Sequence, residues 1–264
     1  LGLGNNRLYL LVASKHQIYE SGYWEIDGMS YYPFNCQEQA LEICGASFPN
    51  EQPLSLLVNE SPLFTECLAD SRSLQSERYP NVKVEVSSDE NLVSFFATYP
   101  TSMLDDNFCT RWSFYANTPM SERIKKQLYP SLKSALQGKS QYGAVNVLLN
   151  LVQTAFVYEY DDKVWGGDRA FFAEESLYYP YCDCEDRSIL FSRLVRDLLG
   201  LKVLLVYYPG HLATAVHFTE SVSGDYISLD NQKYVVCDPT YIGAPVGATM
   251  PNMDNGSAKV ILLE

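Results

Sequence analysis

Residues Tyr181–Gly200 read YCDCEDRSILFSRLVRDLLG, and the reading of this stretch decides the fold. Asp183 suits the N-cap of a helix, Glu185 and Asp186 put negative charge in its first turn, and Arg193 and Arg196 fall in later turns. Gly200 supplies the left-handed residue at which helices stop. Leu190, Phe191, Leu194, Val195 and Leu198 recur at spacings of three and four, so one broad face is meant for burial. Cys184 falls at the front edge, where backbone N–H groups point outward and the dipole is positive. Such a position stabilises a thiolate and holds a carbonyl oxygen as it becomes an oxyanion. It reads as a nucleophilic cysteine.

The other six cysteines (Cys36, Cys44, Cys67, Cys109, Cys182, Cys237) take the ordinary reading of a free cysteine, a small buried hydrophobe. Seven is an odd count without C-x-x-C spacing, which argues against a disulfide scaffold and a zinc ribbon. Cys182, Cys184 and a histidine as a metal set have poor ligand spacing. Cys184 stands apart because of two residues downstream of it. A histidine comes at Gly210-His211 and an aspartate at Cys237-Asp238-Pro239-Thr240. Nucleophile, base and orienter are thus available from successive elements.

Three segments carry a family resemblance: DCEDRSILF from Asp183, YPGHLATAV from Tyr208 and VVCDPTYIGAPVG from Val235. Together they resemble the transglutaminase-like superfamily, and within it the bacterial transglutaminase-like cysteine proteinases of Bacteroides type. The similarity runs from about Ser140 to about Gly247. It implies an α+β fold, a papain-like catalytic domain whose nucleophile helix packs on an antiparallel sheet. It also implies Cys184 as nucleophile, His211 as base and Asp238 as its orienter. The implied activity is hydrolysis of a peptide or amide bond, or transfer to an amine, on a protein or peptide substrate. A cell-envelope or periplasmic location comes by analogy. Many members have an aromatic residue soon after the histidine, whereas Leu212-Ala213 stands there in this chain. Some members bind calcium through acidic residues flanking the cysteine, here Asp183 and Glu185; the plainer reading is that both stabilise the helix start.

The chain has 264 residues, 47% of them hydrophobic and 13% aromatic, enough for two ordinary domains or one large one with a real core. A net charge of -13, without a basic run, disfavours nucleic-acid binding. No apolar run reaches membrane-spanning length and no signal peptide is visible. A non-catalytic binding module of the same fold is the rival function, weighed against the presence of cysteine, histidine and aspartate together.

Residues 1–117 read mostly as strands and turns, an accessory β-domain before a catalytic domain at 118–264. Asp27-Gly28 marks a hairpin, Val82, Val84 and Val86 alternate as a half-buried strand, and Leu92–Tyr99 is a further strand candidate. His16 reads as a surface or turn residue. Thr118-Pro119 opens a helix towards Gly138 that Pro130 should interrupt, and a second helix starts after Ser140. On that helix Gln153 is either a surface glutamine or, as the LVQTAFVYEYD segment of the family resemblance suggests, a side-chain donor to the oxyanion. Residues 161–180 form a long aromatic connection in which Trp165, Phe171, Tyr178 and Tyr179 either wall a substrate cleft or lid the core. Strands over 202–208, 211–218, 226–229 and 234–237 then form an antiparallel meander, with a last strand at 260–263. The strand directions place His211, rather than His217, beside the thiol.

Overall fold

The computed structural model describes residues 1–36, 40–46, 50–104 and 107–264. In chain order the first strands are β1 (Gly2–Gly4), β2 (Arg7–Ser14), β3 (Gln17–Ile18), β4 (Trp24–Ile26), β5 (Met29–Phe34), β6 (Glu42–Ile43), β7 (Arg72–Gln75) and β8 (Lys83–Val86). Helix α1 (Glu90–Ala97), β9 (Ser102–Met103), α2 (Thr110–Asn117), α3 (Glu122–Leu136), α4 (Gln141–Thr154), β10 (Val157–Tyr158), α5 (Asp161–Val164) and α6 (Ala173–Tyr178) come next. The remainder is β11 (Tyr181–Cys182), α7 (Cys184–Leu199), β12 (Val203–Tyr208), β13 (His211–His217), β14 (Tyr226–Leu229), β15 (Gln232–Cys237) and β16 (Lys259–Leu262). The class is α+β, with sheets that are antiparallel except for the parallel β10–β11 pair, and separate helices.

Two compact units emerge, one of Leu1–Leu57 with Pro100–Arg111, the other of Val58–Tyr99 with Trp112–Glu264. The first carries a sheet ordered β4-β5-β2-β1-β6 around Leu11, Ala13 and Tyr31. Asp27 and Gly28 both take positive φ and close the β4–β5 hairpin as their sequence requires. His16 departs from expectation: it is buried, with Nδ1 3.5 Å from Ser102 Oγ, because the β3–β9 pairing folds over its turn.

The boundary expected at residue 117 is corrected by the packing of 58–99 into the second unit. Ser76 Oγ donates to Asn150 Oδ1 at 2.7 Å, Arg78 Nη2 to the Gly243 carbonyl at 2.8 Å, and Arg72 Nη1 to the Leu177 carbonyl at 3.3 Å. Residues 92–97 are helical rather than extended: Asp89 caps α1, and Leu92, Val93 and Phe96 turn one face inward. Phe96 stacks on Phe172 at 4.2 Å. Helix α3 is capped by Ser121 instead of Thr118, whose hydroxyl bonds back to Phe114 in α2. Pro130 lies within α3 without ending it. Its ring is on the exposed side, and the buried row Ile124, Leu128, Leu132 and Leu136 holds the helix across the missing N–H.

The second unit's main sheet is ordered β14-β15-β13-β12-β16, all antiparallel. Helix α7 packs against β12 and β13 and against α4 and α6. Gly224 and Gly247 bring two loops together: a Cβ on Gly224 would stand 2.4 Å from the Gly247 Cα.

Candidate active site

Cys184 is the first residue of α7, so its N–H belongs to the turn that a helix leaves without internal carbonyl partners. The cap is doubly made. Asp183 Oδ1 accepts from the Glu185 N–H and Asp186 Oδ2 from the Asp183 N–H, each at 3.2 Å. Asp186 Oδ1 also accepts the Phe171 N–H at 2.7 Å. Gly200, at φ 64, ends the helix in the left-handed conformation.

Two residues one turn apart fix α7 to the start of β13. The Ser188 hydroxyl donates to the Leu212 carbonyl at 2.9 Å, and the Leu212 amide lies near enough to Cys184 to act on its thiol. Strand β15 leaves the ladder at Cys237, opposite Thr214, and the front of the helix reaches the strand beyond that point. Cys184 thus lies beside the residue next to His211 in the chain.

His211 Nε2 is 2.9 Å from Asp238 Oδ2, and both residues are buried. With Nε2–H donated to the carboxylate, Nδ1 is the basic nitrogen left for a thiol proton. Asp238 is held in turn: Oδ1 accepts from the amides of Thr240 and Tyr241 at 2.9 and 3.1 Å. His217, at the far end of β13, lies 3.0 Å from the Lys233 carbonyl through Nδ1.

Gln153 is neither a surface residue nor a donor pointed at the thiol. It is 1% exposed, and Nε2 donates to the carbonyls of Asp238, Tyr241 and Ala244 at 3.0, 2.9 and 3.1 Å. Its Oε1 accepts the Gly243 N–H at 3.3 Å. The amide is consumed by the loop that carries Asp238, which corrects the oxyanion reading. Asn146 and Asn150 extend the same row of α4, accepting the amides of Val246 and Arg78 at 3.1 and 3.0 Å. Helix α4 is therefore polar where loops arrive and apolar elsewhere.

The aromatic connection 161–180 contains two short helices and packs as a lid on the core. Trp165, Phe171 and Tyr179 surround the Arg169 guanidinium at 4.5, 5.0 and 5.1 Å, and Arg169 pairs with buried Glu175. Burial pushes the Glu175 carboxyl up to about 7 against that pairing. Cys182 is engaged with Arg187, its sulfur 3.4 Å from Nε, and its thiol is pushed up to about 12 mainly by burial.

The surroundings of Cys184 are acidic. Its thiol donates to Glu185 Oε2 at 3.3 Å. Burial first, then the Glu185 and Asp183 carboxylates, raise it well above the usual thiol range, while the Leu212 amide acts the other way. Asp183 is pushed up to about 9 by burial, Glu185 and Asp161, and burial pushes Asp161 to about 6. Oxygens of Asp161, Asp168 and Glu185 lie within 4.8 Å of one another. Asp183 is engaged as the helix cap, Asp161 Oδ2 accepts the Arg169 N–H at 2.7 Å, and Glu185 Oε2 accepts the Cys184 thiol.

Sequence reading passed over Ser188 and Tyr158. Ser188 is the fourth residue after Cys184, a spacing that puts both on one helix face. Tyr158 stands in register with Cys182 on the neighbouring strand. No helix among the described residues is long and apolar enough to cross a membrane. No family model matches the chain, and no curated protein matches it.

Proposed function

We propose that the chain is a cysteine hydrolase of transglutaminase-like fold, acting on an amide or peptide bond through an acyl-thioester. The observation that carries this reading is the 2.9 Å His211–Asp238 pair, its histidine on the strand whose second residue, Leu212, acts on the helix-opening Cys184. Cys184 Sγ attacks the carbonyl carbon as its proton passes to His211 Nδ1. Because the resting thiol is protonated, His211 works as a general base during attack rather than holding a preformed thiolate. Asp238 fixes the tautomer and stabilises the imidazolium. Collapse breaks the C–N bond, and the amine leaves with the His211 proton. Water then hydrolyses the thioester; an amine in its place makes the reaction a transfer. Asp161, Asp168 and Glu185 would hold a calcium ion beside the thiol, where it would offset their charge.

A second reading, a binding module that keeps the fold without turnover, is favoured by the thiol's bond to Glu185 and its raised pKa. An activated p-nitrophenyl ester of a short peptide separates the two. The hydrolase releases a burst of p-nitrophenolate equal to the protein present, and Cys184→Ala abolishes it. A binding module gives no burst. Adding a primary amine then distinguishes transfer from hydrolysis by the product formed.

A further inference from the structure

Gln153 has no hydrogen left for a carbonyl oxygen gaining charge at Cys184. Five residues on, Tyr158 does. It is the second residue of β10, which runs parallel to β11 with Tyr158 opposite Cys182, two residues before the thiol. Its ring lies against the Arg187 guanidinium, 5.4 Å from centre to centre. Arg187 is one helical turn beyond Cys184 on the same side of α7. That platform is itself fixed, since Arg187 is buried and donates to the carbonyls of Gln153 and Phe156 at 3.3 and 2.9 Å. Two other phenols are engaged, Tyr208 with Asn255 and Tyr129 with Asp197. Among the described residues the Tyr158 hydroxyl has no hydrogen-bond partner.

We propose that Tyr158 is a catalytic residue of this site, its hydroxyl joining the Cys184 N–H in binding the oxyanion. The assignment rests on the cysteine-hydrolase reading. When the Sγ–C bond forms, the carbonyl π pair moves onto oxygen and the thiol proton goes to His211. The Tyr158 proton stays on the phenol and is only shared in a hydrogen bond. Burial, followed by Cys184, Asp183 and Glu185, raises the phenol's pKa, so it remains a neutral donor across the working range. A neutral donor suits this place: it adds no charge to an already acidic pocket, and it strengthens its bond as the oxygen becomes an anion.

Tyr158→Phe removes the hydroxyl and leaves the ring on Arg187. With the p-nitrophenyl ester, the acylation rate at saturation is expected to fall about 100-fold, with KM and Tm unchanged. A matched thionoester supplies a second readout, because thiocarbonyl sulfur accepts hydrogen bonds poorly. The wild-type protein should acylate more slowly with the thionoester than with the ester, and Tyr158→Phe should lose most of that difference. Wild-type acylation rates in the variant, or an undiminished difference between the two esters, would overturn the oxyanion role while leaving the hydrolase reading intact. Failure of the wild-type protein to acylate at all would overturn both.

Discussion

The Ser188 hydroxyl and the Leu212 carbonyl, 2.9 Å apart, tie helix α7 to the strand that begins with His211. The bond is fully buried and lies one turn behind Cys184. Ser188→Ala strands the Leu212 carbonyl and is expected to cost about 1–3 kcal/mol in stability. It should also slow acylation, because the helix start then loses its hydrogen bond to β13. Urea unfolding and the ester burst, measured together, check this; an unchanged burst would mean that the tie does not set the site.

The two possible roles of Gln153 predict different pairs of outcomes. As the clamp on the 238–244 loop it shares its two amide hydrogens among three carbonyls and accepts one bond. Gln153→Leu should therefore lower stability by about 2–4 kcal/mol and acylation with it. An oxyanion donor would lose rate at full stability. That second pattern, seen in the unfolding curve and the burst rate, would restore the role the sequence suggested.

The two histidines of β13 should behave oppositely. His211→Ala removes the proposed base and is expected to slow acylation by about 100-fold or more. His217→Asn, at the far end of the strand beside the Lys233 carbonyl, should change it less than about twofold. Rate profiles for both variants decide the matter, and a silent His211 variant would sink the triad.

Range in sequence decides which features were legible before the fold was known. The helix Cys184–Leu199 was legible because its cap, its charges and Gly200 lie within the segment itself. The sheet was legible because Gly210, Gly224 and Asp230-Asn231 mark turns that take positive φ. Helix α1 was hidden: Leu92, Val93, Phe95 and Phe96 crowd into a short apolar run that strands and helices share. The fate of Gln153 was hidden for a different reason. Its partners lie some 85 to 91 positions away in sequence, on a loop whose path only the fold sets. Separations of 105, 74 and 165 positions concealed Arg72, Ser76 and Arg78 in the same way, and their partners draw residues 58–99 into the second unit.

The acidic cluster predicts how stability changes with pH. Asp183 titrates near 9 when folded and near 4 when unfolded, so the native state holds a proton the unfolded chain gives up. Its contribution is complete below about pH 4 and is lost as pH rises through about 9. Asp161, raised to about 6, acts in the same direction over a narrower range. Unfolding free energy should therefore decline from pH 5 to pH 9. Asp183→Asn keeps a capping side chain but not the titration, and should flatten the slope. Parallel slopes for the two proteins would contradict the assignment.

Thioester chemistry at Cys184 is tested by finding where an acyl group lands. The protein is treated with the activated peptide ester at neutral pH, quenched in acid, digested and mapped by mass spectrometry. A single dominant acyl adduct is expected on Cys184, absent in Cys184→Ala, strongly reduced in His211→Ala and unaffected by Cys182→Ala. Acylation spread over the accessible thiols Cys44 and Cys67, with Cys184 unmodified and no dependence on His211, would contradict the assignment of Cys184 as nucleophile.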